Sequence, residues 1–214
     1  MTEFDQDSIV AILGEAGGAP RAAVDAVQYH GLTALLNGTA PTVGEIASLS
    51  GLGVSDIEDG IEALGEVGRI DLDGDRVIGV GGLTLTPTVH SLRLPNAEMH
   101  TWCALDAVGI PAALGLTATV ETRCPQCGDR ITVELDRGKA ATAGPVTLFC
   151  PTAPCDNVRA DFCAAANLFC SPAHMARWRA DNPSAAGEDL DLAATVDLGH
   201  AMWGHYKHEP SARG

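Results

Sequence analysis

The chain has 214 residues, enough for one large domain or two small ones, and 46% of them are hydrophobic, which allows a packed core. Its formal net charge is −15, and Lys139 and Lys207 are its only lysines. Such an acidic chain repels phosphate backbones and anionic lipid surfaces. This composition therefore disfavours nucleic acids and membranes as binding partners.

The chain also carries seven cysteines. No apolar run reaches the ~20 residues that span a bilayer, and the N-terminal stretch is acidic, without the basic segment of a signal peptide. We therefore expect a cytoplasmic protein. In a reducing compartment, its cysteines are expected to serve as metal ligands, catalytic groups or buried thiols rather than disulfides.

The first 83 residues predict a small helical unit followed by a hairpin. A hydroxyl with a carboxylate three residues later forms a capping box at Thr42 and again at Ser55. An Asp-Gly pair at Asp73 predicts the hairpin turn. The expected elements are a short helix capped by Asp7 or Ser8, helices at Pro20–Leu36, Val43–Ser50 and Asp56–Val67, and a hairpin over Arg69–Val80.

Helix, turn, helix and hairpin form the pattern of a winged-helix domain, which we assign to residues 1–83. One interpretation is DNA binding, and the other is a packing module that keeps the fold without that task. The second interpretation is favoured, because a recognition helix needs Lys or Arg for phosphates and bases. The corresponding helix is acidic instead, with Asp56, Glu58, Asp59, Glu62 and Glu66.

Residues 84–214 predict a second domain with a mixed or antiparallel sheet core, so the fold class is α+β. A helix is expected to start near Pro95-Asn96 and to run to about Gly109 or Leu114, with Pro111 kinking or ending it. Alternating apolar and polar residues predict strands. The remaining expected elements are one or two strands in Leu83–Leu94, strands at Thr117–Thr122, Arg130–Leu135 and Pro145–Phe149, a strand or helix at Phe162–Phe169, helices at Ser171–Trp178 and Leu190–Tyr206, and a loop at Asp181–Asp189.

The most informative segment is His100-Thr101-Trp102-Cys103-Ala104-Leu105-Asp106. On a helix, a spacing of three places the Cys103 thiol and the Asp106 carboxyl on one face. A sulfur ligand beside a proton donor suits a site that holds a soft metal while protonating a group attached to it. Taken singly, a buried cysteine such as Cys103 more often serves packing than catalysis, and Asp106 could equally lie on a solvated helix face.

The segment Trp102-Cys103-Ala104-Leu105-Asp106 resembles the organomercurial lyases, also called alkylmercury lyases. Further landmarks of that family occur on both sides of this segment and in the same order as in the family, over roughly residues 35 to 170. They are Gly82-Leu83-Thr84-Leu85 before the segment, Ile110-Pro111-Ala112-Ala113-Leu114-Gly115 after it, a cysteine at Cys124, and a thiol after an aromatic residue at Phe162-Cys163.

This resemblance implies that Cys103 and Cys163 bind mercury and that Asp106 shuttles protons and protonates carbon. It implies an organomercurial substrate, no organic cofactor, bound Hg(II) as product, and mercuric reductase or cellular thiols as its acceptors. Cleaving a carbon–mercury bond needs a proton at carbon and soft donors for the departing Hg(II). A carboxyl that holds a proton near pH 7 needs a raised pKa, so we expect a largely apolar pocket. Its candidate walls are Trp102, Ala104, Leu105, Ala164 and Ala165.

The family that the chain resembles usually has a single structural cysteine near Cys124, and three further cysteines, Cys127, Cys150 and Cys155, depart from its pattern. Cys124 and Cys127 form a C-x2-C pair, and Cys150 and Cys155 form a C-x4-C pair. Two such pairs predict a tetrahedral structural zinc site. A metal-free thiol cluster, a redox pair and an accessory Hg(II) trap remain open. Cys170 is expected to be a buried thiol, and the histidines near the C-terminus, His200, His205 and His208, to be solvated.

Two other functions remain open from the sequence. A metal-responsive regulator would bind DNA through the winged helix and sense metal through the cysteines, and a basic recognition helix would distinguish it. A lyase-like protein could instead carry metal without cleaving carbon–mercury bonds. Release of hydrocarbon from an organomercurial distinguishes the lyase from both.

Overall fold

The structure is a computed structural model that describes residues 17–141 and 144–209. The helix expected at Asp7 or Ser8 lies outside these residues. The described part is α+β and antiparallel throughout its sheets, as expected for the fold class. In chain order it contains α1 (Arg21–Leu36), α2 (Val43–Ser50), α3 (Val54–Glu66), β1 (Ile70–Asp73), β2 (Arg76–Val80), β3 (Leu83–Thr84), β4 (Ser91–Arg93), β5 (Glu98–Thr101), α4 (Ala104–Leu114), β6 (Ala118–Arg123), β7 (Arg130–Asp136), β8 (Lys139–Ala140), β9 (Thr147–Pro151), a π-helical turn (Val158–Cys163), β10 (Asn167–Phe169), α5 (Pro172–Asp181), β11 (Gly187–Asp191), α6 (Leu192–Trp203) and a 3₁₀ turn (Gly204–Lys207).

Carboxylates cap the starts of α2 and α3 in the N-terminal unit. At α2, Thr42 and Glu45 form the expected capping box, with the Thr42 N–H donating to the Glu45 carboxylate at 2.7 Å. Helix α3 begins earlier than predicted, because the Gly53 N–H donates to the Asp56 carboxylate at 3.1 Å. The predicted box at Ser55 is therefore wrong, and Asp56 lies in the first turn rather than at the start.

Eight strands form one sheet in the order β1-β2-β3-β5-β4-β6-β7-β8. The β1–β2 hairpin forms as predicted and continues directly into this sheet through β3. A separate three-stranded sheet has the order β10-β9-β11. Its β11 occupies part of Asp181–Asp189, where the sequence predicted a loop, and β9 is the strand expected near Pro145–Phe149.

The helix expected from Pro95-Asn96 starts later. Strand β5 occupies Glu98–Thr101 with alternating burial, and α4 begins only at Ala104, after an extended Cys103. Pro111 lies inside α4 and does not end it; the helix runs to Leu114 and is capped by the left-handed Gly115. Ten of its 11 residues are buried. This burial outweighs the ~3 kcal/mol that an interior proline costs a helix.

Helix α4 is held against α6 through two glycines. A Cβ at Gly199 would lie 2.5 Å from the Cα of Gly109, so the two backbones are in direct contact. Farther along α6, the Trp203 indole N–H donates to the Gly81 carbonyl at 2.8 Å. This contact fixes α4 and α6 against the turn between β2 and β3. Although α4 is apolar, none of the described helices has the length and hydropathy needed to cross a membrane.

Candidate active site

Three predicted side chains converge in the core. The Sγ atoms of Cys103 and Cys163 and a carboxylate oxygen of Asp106 all lie within 4.8 Å of one another, and all three residues are buried. Cys103 is the residue immediately before α4, Asp106 lies in the first turn of α4, and Cys163 ends the π-helical turn. The structure thus brings together two segments that are 60 residues apart in the sequence.

Cys103 and Asp106 form a reciprocal capping box. The Cys103 N–H donates to Asp106 Oδ2 at 2.9 Å, and the Asp106 backbone N–H, on the other side of the box, acts to lower the pKa of the Cys103 thiol. The thiol therefore occupies the N-cap, where a hydroxyl or carboxylate normally accepts the free helix N–H groups. An N–H donor and the positive end of the helix dipole both favour a thiolate at this position.

The π-helical turn that carries Cys163 is fixed at both ends. The Asn157 side chain accepts from the Ala160 N–H at 3.0 Å at its start. Beyond its end, the Ala166 carbonyl accepts from the Ala104 N–H at 3.1 Å, which ties this segment to the start of α4. Short π-helical turns are frequent at functional sites, and here the turn places a second sulfur opposite the Cys103 N-cap.

Burial shifts all three groups toward their protonated forms. It raises the pKa of Asp106 to about 7, although hydrogen bonds from the Cys103 side chain and backbone act in the opposite direction. Burial, together with the Asp106 charge and donation to Cys163, raises the pKa of Cys103 well above its usual value. The Cys103 hydrogen bond favours the Cys163 thiolate, but burial and the Asp106 charge outweigh it and raise the pKa of Cys163. The site can therefore both store and release protons near neutral pH.

A polar wall that the sequence did not reveal lies beside the cluster. Trp102 donates its indole N–H to Asp71 Oδ2 at 3.1 Å, and Arg159 pairs with the same carboxylate. The Arg159 guanidinium lies over the Trp102 ring, 5.3 Å from its centroid, and its charge favours the Cys163 thiolate. The proximity of Arg159 to Cys163 in the sequence was the only available signal, since Asp71 comes from the distant β1.

The expected apolar walls are partly present. Ala104 and Leu105 are fully buried beside Cys103, and Trp102 and Ala165 are half-buried. Ala164 is exposed, so it does not contribute to a closed pocket wall. The apolar lining comes mainly from the first turn of α4, which explains why the Asp106 carboxyl is desolvated.

Because Gly82 has no side chain, the Asp106 carboxyl can pack directly against its backbone. Its φ is +101°, and a Cβ at this position would lie 2.7 Å from the Asp106 carboxyl carbon. We expect Gly82→Ala to displace the carboxyl and to lower turnover of an organomercurial by about 10-fold or more, because sub-ångström misplacement of a reacting group is costly. Turnover and thermal unfolding should be measured together.

Gly74→Ala is the matched control for backbone strain. Gly74 also has a positive φ, +61°, but no atom lies within 4 Å of a Cβ placed there. Both variants should lose stability, by roughly 1 kcal/mol for the strained backbone, and only Gly82→Ala should lose turnover. An equal loss of turnover in both variants would contradict a specific contact with Asp106.

The other cysteines assemble differently from the prediction. Cys150 lies buried on β9, with its thiol directed at the neighbouring Pro151 carbonyl, and Cys155 lies between β9 and the π-helical turn. Neither belongs to a group of potential metal ligands in the described residues, so the structure does not bring this pair together with Cys124 and Cys127 as the sequence predicted. The reason is that the C-x4-C run begins in a paired strand, whose side chains point into the core.

A different set completes the first half of that site. Cys124 and Cys127 lie with Cys170 and His174, and the four ligand atoms are all within 4.8 Å of one another. Cys170 was expected to be a buried thiol but is partly exposed, and His174 was not singled out. Their C-x3-H spacing was the missed signal. The three histidines near the C-terminus are exposed, as expected, and in the described chain they join no such group.

The family model and the most similar relatives all point to the same protein family. The family model described as alkylmercury lyase matches residues 83–204, more than half of the chain. The alkylmercury lyase of Staphylococcus epidermidis is 30% identical over 188 residues, covering 86% of this chain and 84% of the relative. That of Bacillus cereus is 28% identical over 186 residues, covering 86% and 83%.

The fold also has a close counterpart among solved structures. The mercury-bound form of MerB2 superposes with a TM-score of 0.82 and covers 95% of this chain and 98% of that chain, at 19% identity. This likeness shows that the two share a fold. Together, the match of the family model and the similarity to curated relatives over most of their length show that the chain belongs to the alkylmercury lyase family of enzymes.

Proposed function

We propose that this enzyme cleaves carbon–mercury bonds by protonolysis and that Cys103, Cys163 and Asp106 carry the reaction. The observation that supports this most strongly is the buried cluster of two sulfurs and one carboxyl within 4.8 Å. Two thiolates are suitable ligands for a soft cation such as Hg(II). A carboxyl whose pKa is raised to about 7 can accept and return a proton at neutral pH.

The reaction begins when one thiol loses its proton to Asp106 and its sulfur binds the mercury of the substrate. The Asp106 proton is then delivered to the carbon. The electron pair of the carbon–mercury bond forms the new C–H bond, and the second thiol loses its proton as its sulfur binds mercury. One R–Hg⁺ and two thiols thus give one R–H, one Hg(II) held by two thiolates, and one released proton. No oxidant or reductant is required.

The product state explains why a second cysteine is needed. Hg(II) loses its carbon ligand when the bond breaks, and the second sulfur replaces that ligand in the same step. Because the bis-thiolate product is stable, we propose that Hg(II) leaves by exchange with cellular thiols or with a mercuric reductase. Arg159 and Trp102 beside the cluster are partly exposed, and we propose that an acceptor thiolate approaches on their side.

The direct test is release of benzene from phenylmercury, with an excess of a small thiol to remove Hg(II). We expect stoichiometric benzene and multiple turnovers with the full-length chain. Protein that binds phenylmercury without releasing benzene would contradict a lyase and would support a metal-carrying role.

The N-terminal unit, residues 1–83, is proposed to be a winged-helix-like module that packs on the sheet and does not read DNA. Helix α3 exposes Glu58, Asp59, Glu62 and Glu66, and this acidic face opposes a phosphate backbone. From the same unit, Asp71 contacts Trp102 and Arg159 at the site. We also propose a cytoplasmic location, because the mechanism needs two reduced thiols, which a reducing compartment maintains.

A further inference from the structure

A second cluster of metal-ligating side chains lies outside the proposed active site. It consists of Cys124, Cys127, Cys170 and His174, called here the Cys3His cluster. The lyase mechanism uses none of these residues. Three sulfurs and an imidazole are unusual as an accidental grouping, because two separate segments, the turn after β6 and the start of α5, each bring two potential ligands to the same point.

The spacing within the Cys3His cluster fits a tetrahedral ion. Zinc bonds of about 2.3 Å to sulfur and about 2.0–2.1 Å to nitrogen place two sulfurs about 3.8 Å apart and a sulfur and a nitrogen about 3.5 Å apart. The Sγ atoms of Cys127 and Cys170 are 3.8 Å apart. His174 Nδ1 is 3.8 Å from Cys124 Sγ and 3.0 Å from Cys170 Sγ. The sulfur–sulfur distance equals the value expected around zinc, and the two sulfur–nitrogen distances lie on either side of the expected value.

The first pair of ligands is presented by a tight turn after β6. The Gly128 N–H donates to the Cys124 carbonyl at 2.8 Å, and Gly128 has a φ of +76° that favours glycine. Backbone N–H groups of Gln126, Cys127 and Cys170 donate to the Cys124 sulfur. Such donors stabilise sulfur as a thiolate, the form that binds metal. This turn has the construction of a zinc knuckle.

The second pair of ligands flanks the start of α5. Cys170 follows β10, Ser171 caps the helix by accepting from the His174 N–H at 3.3 Å, and His174 lies in the first turn. This cap sets the four-residue offset that directs the Cys170 thiol and the His174 ring to one point. The helix start is thus shaped around the ligand pair, independently of the knuckle.

We infer that Cys124, Cys127, Cys170 and His174 form a structural Zn(II) site that fastens β6 to the β10–α5 connection. Three thiolates and one neutral imidazole saturate a tetrahedral ion, which leaves no open position for substrate and assigns the site to architecture. Binding releases three thiol protons, and no electrons are transferred. The ion would link the eight-stranded sheet to the three-stranded sheet.

This position explains the benefit to the enzyme. Cys163 lies seven residues before Cys170, and between them the Ala166 carbonyl is tied to the start of α4. A metal that fixes Cys170 restricts the motion of the segment that leads from Cys163 to Cys170. It therefore also restricts the position of Cys163. Zinc loss should consequently lower the unfolding temperature and only indirectly affect chemistry.

The test is the metal content and thermal stability of full-length protein purified without chelators or an added metal-binding tag. We expect about one zinc per chain by elemental mass spectrometry. Cys127→Ser and His174→Ala should lose the zinc. His174→Cys should keep it, because the substitution supplies a thiolate in place of the imidazole as the fourth ligand. Cys155→Ser and His208→Ala are the matched controls and should retain the wild-type zinc content.

A second measurement covers variants that fail to fold. Wild-type protein stripped of metal should take up one Co(II), with visible bands of tetrahedral Co(II) and near-ultraviolet thiolate-to-metal charge transfer, and Zn(II) should displace it. Wild-type protein without zinc and without this Co(II) signal would overturn the inference. So would zinc that is lost in Cys155→Ser but retained in Cys127→Ser, or a site that retains only Hg(II). None of these readouts depends on lyase activity.

Discussion

Replacement of Cys163 by alanine is expected to lower turnover of phenylmercury by at least about 100-fold, because removing even a group behind a metal ligand typically costs roughly 10–100-fold and Cys163 is itself a proposed mercury ligand. The variant keeps Cys103 and Asp106, so it can still bind the substrate through one sulfur. It lacks the ligand that replaces carbon on mercury when the bond breaks. Benzene release under single-turnover and multiple-turnover conditions measures the loss.

Cys155→Ala is the matched control for Cys163→Ala. Cys155 is a neighbouring thiol whose pKa is raised mainly by burial, with a smaller contribution from the Cys163 charge, but it does not belong to the cluster. It should keep wild-type turnover. The double variant Cys103→Ala with Cys163→Ala should be little worse than either single variant, because residues that act as one unit lose their effect together. Turnover that survives Cys163→Ala would contradict the two-thiolate mechanism.

The local signals in the sequence predicted most of the fold. Capping chemistry at Thr42, the Asp-Gly turn after Asp73 and the alternation in β6 and β7 each involve neighbouring residues, and each element forms where expected. The errors arose where a long-range contact decides the structure. Pro111 predicts a break in α4, but burial against α6 keeps the helix intact. Likewise, β5 forms because β3 and β4 pair with it on both sides.

In the candidate site, too, local spacing was predictable from the sequence and long-range contacts were not. Cys103 and Asp106 are three residues apart, so their proximity was predictable from helix geometry. That Cys163 joins them was expected only from the family resemblance. The polar wall of Asp71 and Arg159 was missed, because an ion pair between β1 and the π-helical turn leaves no periodic signal. The Cys3His cluster was half predicted, since a strand-borne Cys150 is indistinguishable in sequence from a loop-borne ligand.

Asp106→Asn is expected to lower turnover strongly and to stabilise the fold at neutral pH. Burial raises the pKa of Asp106 from 3.8 to about 7, so between these values the unfolded chain ionises while the folded chain keeps its proton. Folding stability of the wild type therefore falls as pH rises through this window, and the loss is complete above pH 7. Three pKa units correspond to about 4 kcal/mol as an upper value.

The asparagine has no charge to desolvate and can still accept the Cys103 N–H. Its stability advantage over wild type should thus be absent near pH 4, grow to pH 7 and then stay constant, as measured by denaturant unfolding at several pH values. Loss of the proton carrier should lower benzene release by about 10²–10⁴-fold.

Glu45→Gln tests whether this behaviour is specific to the buried site. Glu45 occupies the same position in the capping box of α2, but there the Thr42 backbone N–H lowers the pKa of an exposed carboxylate. Its stabilisation is present above the pKa of the unfolded chain and is lost as pH falls, so Glu45→Gln should be destabilising at pH 7 and neutral in acid. The two substitutions should therefore show opposite signs in the same experiment. If Asp106→Asn instead behaves like Glu45→Gln, Asp106 is an ordinary ionised cap, and it cannot hold the proton that the carbon receives.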